Sequence, residues 1–405
     1  MQRNYMLRTY RYRLYPNKVQ REQIRKNIDA CRFVYNWALE RKKHAYEADG
    51  KCLSWYELNY LLTNLKQNNL FLKEAYSQSL IHAVKRVVLA YQHFFRRVKL
   101  GENPGYPKFK RRKAHRQSFV VPSFFKVDFE ARRVRLPKIG KVKTVFHRRF
   151  TGNPKECIIV STNTGKFFIC IVVEDGKHPP EKSLVNTQGS VGIDVGLTTY
   201  ATLSTGEKIG NPRPIQHALK RLRCLHQRLS KKKKGSKNRE KARHRLARCY
   251  ERIANQRMDF QQKLSTRLIR ENQAIIVESL NIRGMMSNRK LARQISDAAW
   301  SSFLRMLKDK AEMHGVTLIE IGRFESTSKL CSICGFKNTA LQIIDREWVC
   351  TECRTHHDRD INAAKNIKMI GLRSIMAPRE PREEPVELSA LAETMKQETS
   401  SSKTG

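Results

Sequence analysis

From Gly189 onward the chain runs through an order of elements that few folds can satisfy. SVGIDVG, TTYATLS and GEKIG read as three successive strands, short and apolar, each closed by a turn residue. Two long helical stretches follow, then the strand AIIVESL, the helix ISDAAWSSFLRMLKDKAEMHG and the strand VTLIEIG. A cysteine-rich segment and the helix INAAKNIKMI close the series.

Three strands, helix, strand, helix, strand, helix is the order of an RNase H-like α/β fold, here with a helical hairpin and a cysteine segment inserted. On such a sheet the acidic strand ends become candidate ligands. Asp194 follows the apolar run Val191 to Ile193, and Glu278 follows Ala274 to Val277. A carboxylate at the centre of a sheet costs several kcal/mol unless a metal or an arginine answers it. Glycines at 192 and 196 leave room for a phosphate backbone to approach Asp194. The third carboxylate comes from HDRDINAAKNI. On a helix starting there, Asp360 shares a face with Ala363, Ala364 and Ile367, while Asp358 is turned away by about 200°. Asp360 is therefore assigned to the site and Asp358 to a capping or exposed role. Two Mg²⁺ about 4 Å apart, bridged by Asp194, are the expected catalytic ions for phosphodiester hydrolysis.

Ten cysteines divide into two kinds. Cys331, Cys334, Cys350 and Cys353 form two CxxC pairs, each able to present two thiolates to one tetrahedral ion, as in a zinc ribbon. One structural Zn²⁺ is expected, and with four thiolates the neighbouring His356 and His357 are not needed as ligands. Cys31, Cys52, Cys157, Cys170, Cys224 and Cys249 stand singly on apolar faces and are expected to be reduced core residues.

The partner is indicated by charge. Eighty Lys plus Arg against 37 Asp plus Glu leave +43, self-repulsive unless a polyanion is bound. No apolar run approaches a membrane span and MQRNYMLRTYRYR lacks a signal-peptide core, so a soluble, cytosolic protein is expected. The densest charge lies between Arg213 and Arg257, with 17 basic and two acidic residues on two helical arms joined by KKKKGSK. Its positive faces, with Lys231, Lys232, Lys233 and Lys234 at the turn, are expected to line a nucleic-acid channel. Lys110, Arg111 and Arg112 in GENPGYPKFKRRKAHR extend it. The first half reads as a strand over Tyr5 to Tyr15, three helices up to about residue 97, then a basic β-rich, barrel-like unit. Trp55, Tyr56, Tyr106, Phe109 and Phe124 lie among basic residues and could stack on bases, though most should be core. The Pro-, Glu- and Ser-rich end is expected to be disordered.

GIDVGL, the strand ending in Glu278, QISDAAW, CSICG, CTEC and HDRDINAAKNI together resemble the RuvC-type nuclease domain of TnpB proteins. These are transposon-encoded, RNA-guided DNA endonucleases related to type V CRISPR effectors. RLYPNKVQ, CRFVYNWALE and GYPKFKRRK extend the resemblance to about Leu372. One departure is Ser326, in FESTSKLC, where that family leads one to expect proline. The resemblance implies a multidomain α/β protein: a wedge-like β-barrel (1–15 and 98–182) with an inserted helical recognition lobe (16–97), and a RuvC-like nuclease domain (183–325 and 356–372). The latter carries a basic hairpin (213–271) and a zinc ribbon (326–355), with a tail over 373–405. It also implies a guide RNA from the transposon end and cleavage of target double-stranded DNA beside a short motif. That motif would be read near Ser54, Trp55, Ser77, Gln78 and His82. Asp194, Glu278 and Asp360 fall on the family's catalytic positions, and the four cysteines on its zinc positions. A compact type V CRISPR effector and a nuclease-inactive RNA-guided repressor are the alternative readings.

Overall fold

The computed structural model describes residues 5–112, 116–182, 185–322, 325, 327–342 and 344–376. Ser326 and the chain from residue 377 lie outside that set. The chain divides into two compact units, residues 1–180 with 214–258, and residues 181–213 with 259–405.

The first unit opens with β1 (Leu7–Tyr15), whose inward Tyr12 and Leu14 are almost fully buried. Pro16 ends the strand. Asn17 then starts α1 (Lys18–Asp49) with a capping box: its Oδ1 accepts the Gln20 N–H at 2.8 Å, and the Gln20 side chain accepts the Asn17 N–H at 3.1 Å. Gly50, at φ +64°, stops the helix in the left-handed conformation. A second capping box, Ser54 with Glu57, opens α2 (Trp55–Asn68). A short α3 (Leu70–Glu74), absent from the sequence reading, precedes α4 (Ser77–Lys99).

Six strands follow: β2 (Arg116–Val121), β3 (Lys126–Asp128), β4 (Arg133–Leu136), β5 (Gly140–Val145), β6 (Asn153–Thr162) and β7 (Phe167–Glu174). With β1 they form one sheet in the order β2-β6-β7-β1-β5-β4-β3. β1 pairs antiparallel with β7 from Leu7↔Glu174 to Leu14↔Phe167, and its end pairs with β5. The helices are thus spliced between strands of one sheet. Ile24, Ile28 and Val34 of α1 and Leu80, Val84 and Val87 of α4 share a core with Phe119, Ile159 and Ile171.

The basic hairpin, α5 (Pro214–Ser230) and α6 (Lys237–Glu271), has a small core of Leu222, Leu246, Cys249 and Ile253. Through Met258 it groups with the first unit and not with the residues flanking it in sequence. Glu251 of α6 explains this locally: it takes Lys166 Nζ at 2.8 Å and the Thr164 hydroxyl at 3.1 Å from the β6–β7 turn. Phe260 and Leu264, further along α6, pack in the core of the second unit instead.

In the second unit β8 (Ser190–Val195), β9 (Thr199–Leu203), β10 (Lys208–Gly210), β11 (Ala274–Glu278) and β12 (Thr317–Ile321) form a sheet in the order β10-β9-β8-β11-β12. The first three strands are antiparallel; β11 runs parallel to β8 and β12. Short α7 (Ile282–Met285) and α8 (Ala292–Ala298) precede α9 (Trp300–His314). The helix expected over 295–315 is therefore two helices, broken at Ala299, where φ is +51°. The buried Gln261 side chain explains the break, donating to the Ala298 and Ala299 carbonyls and to the Tyr200 hydroxyl at 3.0–3.1 Å. After β12 come a small hairpin, β13 (Glu347–Val349) and β14 (His356–Asp358), and α10 (Arg359–Met376). α10 is longer than expected and runs past the Leu372 boundary.

Exposure corrects two expectations. Cys52 and Cys224 are exposed thiols, not core residues. Tyr56, Tyr106, Phe109 and Phe124 are also exposed, leaving Trp55 alone of that group packed on the core. No described helix is long and apolar enough to cross a membrane.

Candidate functional site

The registry of β8 and β11 brings two of the three candidate carboxylates together. Val277 pairs with Ile193 in parallel register, so the residues that follow, Glu278 and Asp194, stand side by side at the ends of adjacent strands. Adjacent strands are about 4.8 Å apart, which sets the two carboxylates on one rim. Glycine decides how the third arrives. A Cβ on Gly192 would collide with the carbonyl oxygen of Ala364 and the backbone of Lys368, so α10 lies directly on β8 there. Asp360 stands about one turn before Ala364, and Asp194 two residues after Gly192. Gly371 repeats the device against Ile276 of β11. Gly192 thus serves helix packing, not the phosphate approach expected of it.

The electrostatics agree with this convergence. Burial, then the charges of Asp360 and Glu278, raise Asp194 to about 7, against the opposing pull of Arg359 and the Val195 N–H. Burial also raises Glu278. Asp360 has one long ion pair, 3.6 Å to Arg346 Nη1. A buried carboxylate whose ionisation two neighbouring carboxylates oppose suits a divalent cation.

Asp358 does something else. Its Oδ1 accepts the N–H groups of Asp360 and Ile361 at 3.1 Å, and Lys208 Nζ donates to its Oδ2 at 2.5 Å. Burial opposes ionisation, but Lys208 and the two N–H groups outweigh it and hold the carboxyl below the usual range. It caps the helix that carries Asp360.

The four cysteines form a cage. Cys331 and Cys353 sulfurs are 3.6 Å apart, as are those of Cys334 and Cys350, and all four lie within 4.8 Å of one another. Four thiolates about 2.3 Å from a tetrahedral ion would stand about 3.8 Å apart, so the cage fits one. Among the described residues, no other group of three or more ligand atoms closes to that spacing. Each knuckle has a left-handed residue after its second cysteine, Gly335 at φ +80° and Arg354 at +55°. Their N–H groups donate to the Cys331 and Cys350 carbonyls at 3.0 and 2.9 Å. Buried His357 places Nε2 3.0 Å from Cys331 Sγ and its ring lies tilted against Trp348, centroids 4.8 Å apart. His356 is exposed.

Sequence reasoning missed the tie between cage and carboxylates. Buried Asn362 accepts the Ser332 N–H at 2.9 Å and donates to the Leu330 carbonyl at 2.7 Å. Asn366, one turn on, donates to the Thr327 and Leu330 carbonyls at 2.7 and 2.6 Å. Both sit on α10, so the first knuckle is strapped to the helix that presents Asp360. Their four-residue spacing was the available signal.

The remaining candidates scatter. Ser54 Oγ is spent on capping Glu57 at 3.2 Å, and Ser77 Oγ accepts Lys66 Nζ at 3.0 Å. Trp55 is partly buried, Gln78 is exposed, and His82 lies 3.8 Å from Glu156. Lys231, Lys232, Lys233 and Lys234 are exposed at the hairpin turn, which Arg239 closes through the Leu229 and Lys232 carbonyls. Beside them the α5–α6 groove, about 850 Å³, is lined by Arg221, Arg228, Arg245, Arg248 and Arg252. Arg111 and Arg112 are exposed. Lys110 is not free: Asn36 clamps its backbone, and its ammonium sits 3.7 Å over the Tyr35 ring.

Fold and site define a multidomain α/β protein with a four-cysteine cage strapped beside a carboxylate cluster. Residues 169–289 match the family model "Probable transposase" of the OrfB/IS605 group, 300–367 match "Cas12f1-like, TNB domain", and 4–51 match its "Helix-turn-helix domain". That last stretch is a strand and one 32-residue helix here. A Streptomyces pristinaespiralis protein named "Putative RNA-guided DNA endonuclease" is 36% identical, covering 90% of this chain and 89% of its own. An Escherichia coli K12 protein of the same description is 29% identical, with 90% and 92% covered. The solved Cas12f1–sgRNA–target DNA complex shares the fold at a TM-score of 0.54 and 12% identity, covering 90% of this chain and 99% of that one. This chain belongs to the TnpB family of RNA-guided DNA endonucleases.

Proposed function

We propose that the protein is an RNA-guided DNA endonuclease that cuts target double-stranded DNA at a RuvC-type site made by Asp194, Glu278 and Asp360. The convergence of these three carboxylates, with Asp194 raised to about 7 in part by the other two, carries the reading. The sheet order β10-β9-β8-β11-β12, three antiparallel strands followed by two parallel ones, supports an RNase H-like fold for the second unit. The seven-stranded sheet with spliced helices supports a wedge-like unit bearing a recognition lobe.

Asp194, Glu278 and Asp360 would hold the catalytic Mg²⁺ pair, which when bound would supply an activated water and stabilise the leaving 3′ oxygen. Asp358, neutralised by Lys208, stays out of the ligand set and holds the start of α10. The cage would hold one structural Zn²⁺, with no position left for a reacting water.

Specificity would rest on base pairing between guide RNA and target, leaving the basic hairpin to grip phosphates without reading sequence. A nuclease-inactive repressor is disfavoured because the carboxylate set is intact and assembled. The test is ribonucleoprotein made with RNA from the transposon end, given Mg²⁺ and matched duplexes with randomised flanks. Cutting beside a subset of flanks is expected; no cutting beside any flank contradicts the reading.

A further inference from the structure

Arg213 opens the basic run expected to line a nucleic-acid channel, yet its guanidinium is turned to the protein's own backbone. Its Nη2 donates to the Leu197 carbonyl at 3.1 Å and to the Thr198 carbonyl at 3.3 Å. The two N–H bonds of one guanidinium nitrogen thus reach both acceptors. Asn211 completes the clamp: its side-chain amide donates to the same Leu197 carbonyl at 2.9 Å, and its Oδ1 accepts the Arg213 N–H at 3.3 Å. Leu197 and Thr198 lie in the short connection between β8 and β9.

That connection continues the strand that carries Asp194. Val195, the next residue, is the last of β8 to pair with β9, opposite Ala201. Gly196 then closes the turn by donating its N–H to the Tyr200 carbonyl at 3.3 Å. A Cβ on Gly196 would stand 2.8 Å from the Thr199 carbonyl oxygen, so the turn is tight. Beyond Val195 the ladder ends, and the side chains of Asn211 and Arg213 take over the carbonyls of the turn. Local opening starts where backbone bonds run out, and here it would start next to Asp194.

The backbone at Arg213 points the same way. Its φ is +40°, in the left-handed region that glycine enters freely and other residues rarely adopt. A side chain persists there only where its surroundings over-determine it, and strain of this kind gathers at functional sites. Arg213 is also the last residue of the second unit before the chain passes, at Pro214, into the hairpin that groups with the first. We propose that Arg213 is a positioning residue for Asp194: with Asn211 it locks the β8–β9 turn and so fixes the strand end that presents the carboxylate. It touches no reacting atom and acts through the turn. Catalytic groups must be held to within about 0.5 Å, so loosening this turn costs rate and not nucleic-acid binding. The inference rests on the function proposed above, which gives Asp194 its role.

The full chain loaded with guide RNA is compared as parent, Arg213→Gln and Arg213→Gly. Glycine keeps the left-handed backbone and removes only the guanidinium, so it should melt like the parent and keeps the test available if glutamine disturbs folding. Both variants are expected to cut matched duplex about 10–100-fold more slowly at single turnover. Their affinity for guide RNA and target, and its dependence on salt, should match the parent. In hydrogen exchange, residues 194–200 should exchange about 10-fold faster than in the parent, with β11 and α6 unchanged. Weaker nucleic-acid binding with a log–log salt slope lower by about one would make Arg213 a phosphate contact and overturn the proposal. A parent-like rate in Arg213→Gly overturns it too, because the guanidinium would then be idle. So does slower cutting with unchanged exchange at 194–200, because the turn would not be the link. Cutting by the parent reads the endonuclease assignment alone, and exchange reads the clamp without it, so the two failures are distinguishable.

Discussion

Two aspartates two residues apart at the start of α10 have opposite environments, and the difference is testable. Asp358 is committed to two backbone N–H groups and Lys208, whereas Asp360 has only a long contact to Arg346. Asp358→Asn should therefore cost about 1 kcal/mol of stability through the weakened cap and ion pair, read as a lower melting temperature, with cutting retained in part. Asp360→Asn should leave melting nearly unchanged and reduce cutting by about 100-fold or more, read by single-turnover cleavage. The reverse pattern would mean that the site carboxylate has been misassigned. Gly192 supports the same geometry from the strand side. Gly192→Ala forces a methyl into the Ala364 carbonyl and should destabilise by about 1–3 kcal/mol, with cutting lost because α10 is lifted from β8.

At the scale of elements, much of the second unit was legible because its strands are short, apolar and closed by turns. The same local signals could not show Ala299 breaking a helix, because the cause is Gln261, nearly forty residues earlier. The carboxylates were readable as strand and helix ends, and helical period alone separated Asp360 from Asp358. Only the four-residue spacing of Asn362 and Asn366 showed in the sequence, because the partners of these straps are backbone atoms of a distant loop. These straps predict that the cysteine cage positions α10. Asn366→Ala leaves the buried Thr327 carbonyl unanswered and the Leu330 carbonyl to Asn362 alone, at about 1–3 kcal/mol, and should lower kcat while nucleic-acid affinity is unchanged. Extracting the cage metal with a chelator, or Cys350→Ser, should do the same more severely, with melting temperature falling. A kcat insensitive to both would show that the cage and the carboxylates act independently.

For the whole molecule, +43 is the feature that composition states and the fold distributes. It is concentrated in the α5–α6 groove, where Arg221, Arg228, Arg245, Arg248 and Arg252 face one cavity. The grouping of that hairpin with the first unit was not readable, because it depends on Glu251 meeting a turn about ninety residues away in sequence. Nucleic-acid binding should fall steeply with salt, and exchanging two groove arginines for glutamine should lower the salt slope by about two for any sequence. The measurement that bears most directly on the central claim joins site and guide. The RNA that co-purifies with the protein is sequenced, a duplex matching its guide segment is made, and cutting in Mg²⁺ is compared for the parent and Asp194→Ala. The account predicts cutting of the matched duplex alone by the parent, and none by the variant, which still binds RNA and target. Cutting that survives Asp194→Ala, or that ignores the match, would contradict it.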